Sequence, residues 1–323
     1  MAASDAAPGL VNLSGLMDDA KCFAFVRQHR WPDGVRCPGC GSDAVIRDGH
    51  DDTQPHRQRY RCKACASRFD DLTGTVLAGR HQPLRVWVLC LYFMGLNLSN
   101  LQIAGELGLC GSDVQARTEQ LRRGLVAKAS DVELTGEVEI DEVYVVAGHK
   151  GQPAALAKRA GSGVGASWQA RRDAARWKRT SRPLEAVPPT GLIQRGGQVV
   201  LRMLANVQQT TIKPVITATV ASGTLVHTDE YAVYARLPAW GYRHKTVCHG
   251  RGEYARDEDG DGFCEVHVNT IEGFWSLLRS WLRPHRGISQ DKLPLYLGFF
   301  QVVHNARRRG KALLGTLIAG LVA

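Results

Sequence analysis

The sequence has no apolar run long enough to span a bilayer. Its most apolar stretch, the closing "ALLGTLIAGLVA", is twelve residues, short of the roughly 20 a membrane helix needs. It reads as a packed helix end at 311–323. The first residues, "MAASDAAPGLVNLSG", lack a basic start and a long apolar core, so no secretory signal is expected and the expected location is the cytoplasm. There the nine cysteines are not presumptively a disulfide framework. Acid is in short supply: 31 Asp and Glu face 41 Lys and Arg, a net charge of +10. Such an excess suits a polyanionic partner, nucleic acid before others, without proving one. With 323 residues the chain can build two or three domains.

Four of the cysteines are paired in sequence. "RCPGCG" and "YRCKACASRF" carry Cys37, Cys40, Cys62 and Cys65 as two C-x2-C knuckles. Each knuckle can offer two thiolates to one ion, and four thiolates in a tetrahedron favour structural Zn2+ over a redox pair. A zinc ribbon is expected at 31–72, after an N-terminal tail and helix at 1–30. Cys22, Cys90, Cys110, Cys248 and Cys264 lack such spacing and read as packing residues.

Residues 80–128 read as a helical, helix-turn-helix-like DNA-binding segment. "QPLRVWVLCLYFMGL" is a buried helix. Ser99 can cap the next, Gly108 turns the chain, and a further helix starts near Ser112 or Asp113. That last helix carries Arg117, Arg122 and Arg123 as candidate DNA contacts; a purely structural helical hairpin is the alternative.

From residue 135 the pattern changes. "TGEVEIDEVYV" alternates Val138 and Ile140 with Glu137, Glu139 and Asp141, a strand with one carboxylate face. Residues 149–188 form a basic insertion. Its 149–183 part holds nine Lys or Arg against one Asp. Arg171, Arg172, Arg176 and Arg179 are candidate phosphate contacts there, and Trp168 and Trp177 could stack on bases; a solvated loop is the alternative. Further strands and helices follow in the order β, β, β, α, β, α, β, then helices. A mixed α/β, RNase H-like domain is expected at 135–310, with carboxylates at strand ends. Asp141 and Asp229 suit two Mg2+ (or Mn2+) ions, which prefer oxygen ligands. Glu139 is a rival on the same strand face, Glu142 is adjacent, and Asp229 could equally cap a helix over 230–237.

The stretch "HVNTIEGFWSLLRSWLRPHRG" predicts a helix. At about 100° per residue, Ile271, Phe274, Trp275, Leu277, Leu278, Trp281 and Leu282 fill one arc. Asn269, Glu272, Ser276 and Arg279 form a polar stripe opposite.

Six motifs stand in order: "FDDLTGTVL", "EIDEVYVVAGHKG", "VHTDEYAVY", "RHKTVCHGRGEYAR", "HVNTIEGFWSLLR" and "RGISQDKLPLYLGFFQVVHNARRRG". Together they make residues 31–310 resemble the ISXO2-like, IS1595-type insertion-sequence transposases with an N-terminal zinc ribbon. The resemblance implies an RNase H-like DDE-type catalytic domain, Mg2+ dependence, and binding to double-stranded DNA at terminal inverted repeats and target. It implies Asp141 and Asp229 as the first two catalytic acids and puts the third in "NTIEGFW", at Asn269 or Glu272; the carboxylate makes Glu272 the better magnesium ligand. Arg279 stands where the family usually carries Lys, and Cys248 where a polar residue is expected. A homo-oligomer on DNA, associated with the nucleoid, follows from the need to join two ends. The competing readings are a zinc-ribbon and helix-turn-helix regulator with an inactive RNase H-like body, and a nuclease without strand transfer.

Overall fold

The computed structural model describes residues 18–79, 82–145, 189–307 and 310–322. The tail before residue 18 and the basic insertion, with Arg171, Arg172, Arg176, Arg179, Trp168 and Trp177, lie outside the described residues. The chain divides into two units, one of residues 1–129 with 306–323, the other of residues 130–305.

The first unit begins with α1 (Asp19–Arg30), capped by the Asp18 carboxylate, which accepts the Ala20 N–H at 2.8 Å. Strands β1 (Val45–His50), β2 (Gln58–Cys62) and β3 (Arg68–Asp70) form an antiparallel sheet in that order. The fully buried Asp71 ties α1 to it: its carboxylate accepts from Arg27 Nε at 2.8 Å, the Gln58 N–H at 2.7 Å and the Tyr60 hydroxyl at 3.1 Å. Removing one partner of such a buried, charge-assisted set is costly, because the carboxylate stays behind without water.

Helices α2 (Leu84–Gly95), α3 (Asn100–Leu107) and α4 (Gly111–Lys128) follow. Ser99 and Gln102 form a capping box at the start of α3, and Gly108 ends it in the left-handed region at φ 62°, where glycine has no steric penalty. Helix α4 starts at Gly111, slightly before the expected Ser112 or Asp113, and the Cys110 Sγ lies 3.2 Å from the Ser112 hydroxyl.

The expectation that Arg117 and Arg122 contact DNA meets a correction here. Both are buried in α4, at 8% and 2% exposure. They fall on the stripe of Val114, Leu121 and Leu125 that packs inward; Arg117 stands three residues after Val114 and four before Leu121. Its guanidinium lies over the Trp87 ring at 5.8 Å. Arg123 is exposed and pairs with Glu119 at 2.6 Å, one turn back.

The closing apolar stretch forms α8 (Gly310–Val322), which packs on α1, α2 and α4. It buries Leu313, Leu317, Ile318, Leu321 and Val322. The first unit is thus built from both ends of the chain order, with the second unit inserted between α4 and α8.

The second unit is mixed α/β. Strands β4 (Glu137–Glu142), β5 (Pro189–Gln194), β6 (Val199–Met203), β7 (Leu225–Thr228) and β8 (Arg243–Thr246) lie in the order β6-β5-β4-β7-β8. Strands β4, β5 and β6 are antiparallel neighbours; β4–β7 and β7–β8 are parallel. Helix α5 (Gln209–Thr219) covers one face, where Ile212 and Ile216 meet Val138, Ile140, Leu192, Val200 and Val226. Helices α6 (Asn269–Leu282) and α7 (Leu293–Asn305) cover the other, where Ile271, Phe274, Trp275, Leu278, Leu297 and Phe300 meet Ile193, Val199 and Leu201. A two-residue pairing of β9 (Ala255–Arg256) with β10 (Val266–His267) precedes α6.

The helix expected after β7 is instead two 3-10 turns, Ala232–Arg236 and Pro238–Trp240. Pro238 has no N–H to continue an α-helix. Asp229 caps no helix; its Oδ1 accepts the Tyr231 N–H at 3.0 Å in a local turn.

Candidate active site and metal ligands

The two cysteine knuckles meet. Cys37 Sγ lies 3.7 Å from Cys65 Sγ, and Cys40 Sγ 3.6 Å from Cys62 Sγ. All four sulfurs are within 4.8 Å of one another. A zinc tetrahedron with Zn–S bonds of about 2.3 Å has edges of about 3.8 Å. The four cysteines therefore support a structural Zn2+. Tyr60 and Phe69 stack on each other and Trp31 meets both edge-on, a set that packs with Cys37 and Cys62.

In the second unit the acids follow from register. Strands β4 and β7 are parallel, and Glu139 pairs with His227. Asp141 and Asp229 each stand two residues further along, so both leave the same end of adjacent strands, which lie roughly 4.8 Å apart. Helix α6 crosses above β4. Its Trp275 indole N–H donates to Asp141 Oδ2 at 2.8 Å.

That approach needs a glycine. Gly191 stands opposite Asp141 on β5, and a Cβ there would meet Trp275 Cη2 at 2.4 Å. Burial raises the Asp141 carboxyl above the usual carboxylate range. The charges of Asp229 and Glu272 raise it further, while the Trp275 and Glu142 N–H groups oppose this. Asp141 thus senses both other acids.

The polar stripe of α6 is as expected in outline. Asn269, Glu272, Ser276 and Arg279 are exposed, and Ile271, Phe274, Trp275 and Leu278 are buried. Leu277, expected in the apolar arc, is 43% exposed. Glu272 Oε1 lies 3.9 Å from His249 Nδ1, and the His249 ring packs on Tyr254 at 5.2 Å. The His249 loop is clamped beside Asp229: the His249 and Gly250 N–H groups both donate to the Glu230 carboxylate at 3.0 Å. Sequence reasoning passed over His249. Its signal was "CHGRGEY", a histidine among glycines one strand after an acid.

Residues 133–302 match the ISXO2-like transposase domain, and residues 17–68 match the transposase zinc-ribbon domain. The chain belongs to the ISXO2-like transposase family. A protein described as an uncharacterized protein in transposable element ISH50 of Halobacterium salinarum is 33% identical to it over 313 residues. That likeness spans 96% of this chain and 99% of the relative.

Within this ISXO2-like chain, Glu139 is not placed as a competing ligand. It is fully buried and bonded to Arg195 Nε at 2.8 Å and to the Ile271 N–H at 2.9 Å. The carboxylates of Asp141, Asp229 and Glu272 do not gather within 4.8 Å of one another. Among the described residues Asp257, Asp259 and Glu265 do. Asp257 accepts the Gly260 and Gly262 N–H groups, and Glu265 accepts the Glu258 N–H, so this loop uses its acids on its own amides. Among the described residues no helix is long and apolar enough to cross a membrane.

Proposed function

We propose that this family member is a DDE-type DNA transposase whose RNase H-like body cuts the ends of an insertion sequence and joins them to target DNA. The observation that carries the reading is the equal placement of Asp141 and Asp229 at one end of adjacent parallel strands, with Glu272 on the helix that packs on β4. The sheet order β6-β5-β4-β7-β8, with β5 antiparallel to β4, supports the RNase H-like assignment.

The donor set fits Mg2+ or Mn2+: it offers only oxygen, and the mutual repulsion felt by Asp141 is relieved by a divalent cation. When bound, such ions lower the pKa of the attacking hydroxyl and neutralise charge on the transferring phosphate. Asp141 and Asp229 would hold them, with Glu272 as third ligand and Asn269 one turn earlier. Trp275 fixes the Asp141 carboxylate by its indole N–H. Arg279, one heptad after Glu272, presents a planar cation to the DNA backbone.

Cleavage is attack by water on phosphorus with departure of the 3′-oxygen. Joining is attack by that 3′-hydroxyl on a target phosphodiester, with departure of the target strand's own 3′-oxygen. Both are in-line displacements that one site can perform. The partners are terminal inverted repeats and target DNA, and joining two ends calls for a homo-oligomer. Nucleoid association follows from DNA binding.

The test is cleavage of a duplex carrying the element's terminal repeat, followed by joining to a second duplex. Wild type is expected to do both with Mg2+, and Asp141→Asn and Asp229→Asn to bind the repeat without cutting it. Binding without metal-dependent cutting by wild type would leave a DNA-binding regulator. Cutting without joining would leave a nuclease.

A further inference from the structure

The N-terminus of α6 has an unusual cap. Val268 precedes the helix and makes no side-chain cap bond, although the first turn of any helix presents N–H groups without partners. The missing acceptor comes from β4. Glu139 Oε2 accepts the Ile271 N–H at 2.9 Å from 132 residues away. The same carboxylate accepts from Arg195 Nε at 2.8 Å and lies 3.2 Å from His267 Nδ1.

Arg195 extends the clamp. It donates to Glu137 at 2.6 Å, to the Glu265 carbonyl at 2.8 Å and to the His267 carbonyl at 2.9 Å. One pair, a buried carboxylate and a partly exposed guanidinium, therefore holds both the strand leading into α6 and the first turn of the helix. Glu139 stands two residues before Asp141 on the same face of β4, and Ile271 stands immediately before Glu272.

We propose that Glu139, held by Arg195, is a positioning residue that locks α6 to β4 and so sets the placement of Glu272 against Asp141. The proposal rests on the reading of these acids as a phosphoryl-transfer site. Metal and substrate groups need placement within about 0.5 Å, and a misplacement of about 1 Å can cost about 100-fold in rate. A carboxylate can accept from both Arg195 and Ile271, whereas an amide must turn its NH2 toward one of these donors. Glu139→Gln therefore keeps the volume and disturbs the register.

The full-length protein with terminal-repeat duplex tests this. Glu139→Gln is expected to lower kcat for cleavage by about 100-fold and to raise the Mg2+ concentration giving half-maximal cleavage. The Kd for the duplex should stay near wild type at a temperature where the variant is fully folded, although loss of the buried charge lowers the thermal midpoint. Arg195→Lys, which keeps the charge but loses the fork, should do the same to a smaller extent.

A merely structural role would lower DNA binding and cleavage together and leave the Mg2+ requirement unchanged; that result overturns the proposal. If Glu139→Gln does not fold, Arg195→Lys decides by the same Mg2+ titration. Asp141→Asn in parallel separates the two readings. If Asp141→Asn cuts normally, the site itself is wrong. If it is inactive while Glu139→Gln and Arg195→Lys cut at the wild-type Mg2+ requirement, only the positioning role fails.

Discussion

At the scale of the residue, the polar stripe on α6 divides its labour by chemistry. A carboxylate offers a divalent cation a charged oxygen, an amide only a neutral one. Glu272→Gln should abolish Mg2+-dependent cleavage while the duplex still binds, and Asn269→Ala should impair it less; single-turnover cleavage reads both. The reverse order would make Asn269 the ligand.

His227 gives a different prediction. It is 1% exposed, and neither ring nitrogen has a hydrogen-bond partner among the described residues, although Glu137 is 3.4 Å away. Burial and the Arg195 charge push its pKa down to about 4, against the pull of Glu137 and Glu139. The unfolded chain then binds more protons than the native one between about pH 6.5 and 4. Stability should fall as pH falls through that window, by at most roughly 3 kcal/mol. His227→Gln should flatten that slope in urea melts; an unchanged slope would mean other groups set it.

At the scale of the element, close approach decides what works. Gly191→Ala should push the Trp275 indole off Asp141. Overpacking of this kind costs about 1–3 kcal/mol, and cleavage should fall beyond what the melting shift accounts for. In the ribbon, Cys40→Ser should lower bound zinc and terminal-repeat binding, since such modules fold with their metal. The far-ultraviolet signal of the second unit should survive. Unchanged zinc content would argue against a four-thiolate site.

The elements also show what was legible in the sequence. The C-x2-C spacing, the Ser99 helix cap, the strand alternation at 137–142 and the α6 stripe are local patterns. Each could be read because its cause lies within a few residues. The role of Glu139 could not, because its partners Arg195 and Ile271 are 56 and 132 residues away. Trp275 on Asp141 and Gly191 beneath it are hidden for the same reason. Arg117 and Arg122 carry charge but share the stripe of Val114, Leu121 and Leu125, so the helical period and not the charge decides their burial.

At the scale of the whole molecule, the excess of positive charge is concentrated in the basic insertion, outside the described residues. Neutralising Arg171, Arg172, Arg176 and Arg179 should weaken duplex binding and flatten its salt dependence, by up to roughly four in the slope of log K against log salt. A slope equal to wild type would place the insertion outside the DNA interface.

The return of α8 to the first unit has a consequence in time. The helix that buries Leu313, Leu317 and Leu321 against α1, α2 and α4 is translated after the entire second unit. At about 5–20 residues per second, the roughly 180 residues between α4 and α8 delay it by about 10–40 s. Until then the faces of α1, α2 and α4 that receive it stay without that partner. A chain that stops at a premature codon before α8 would carry its acids on a finished sheet while its first unit lacked a packing helix.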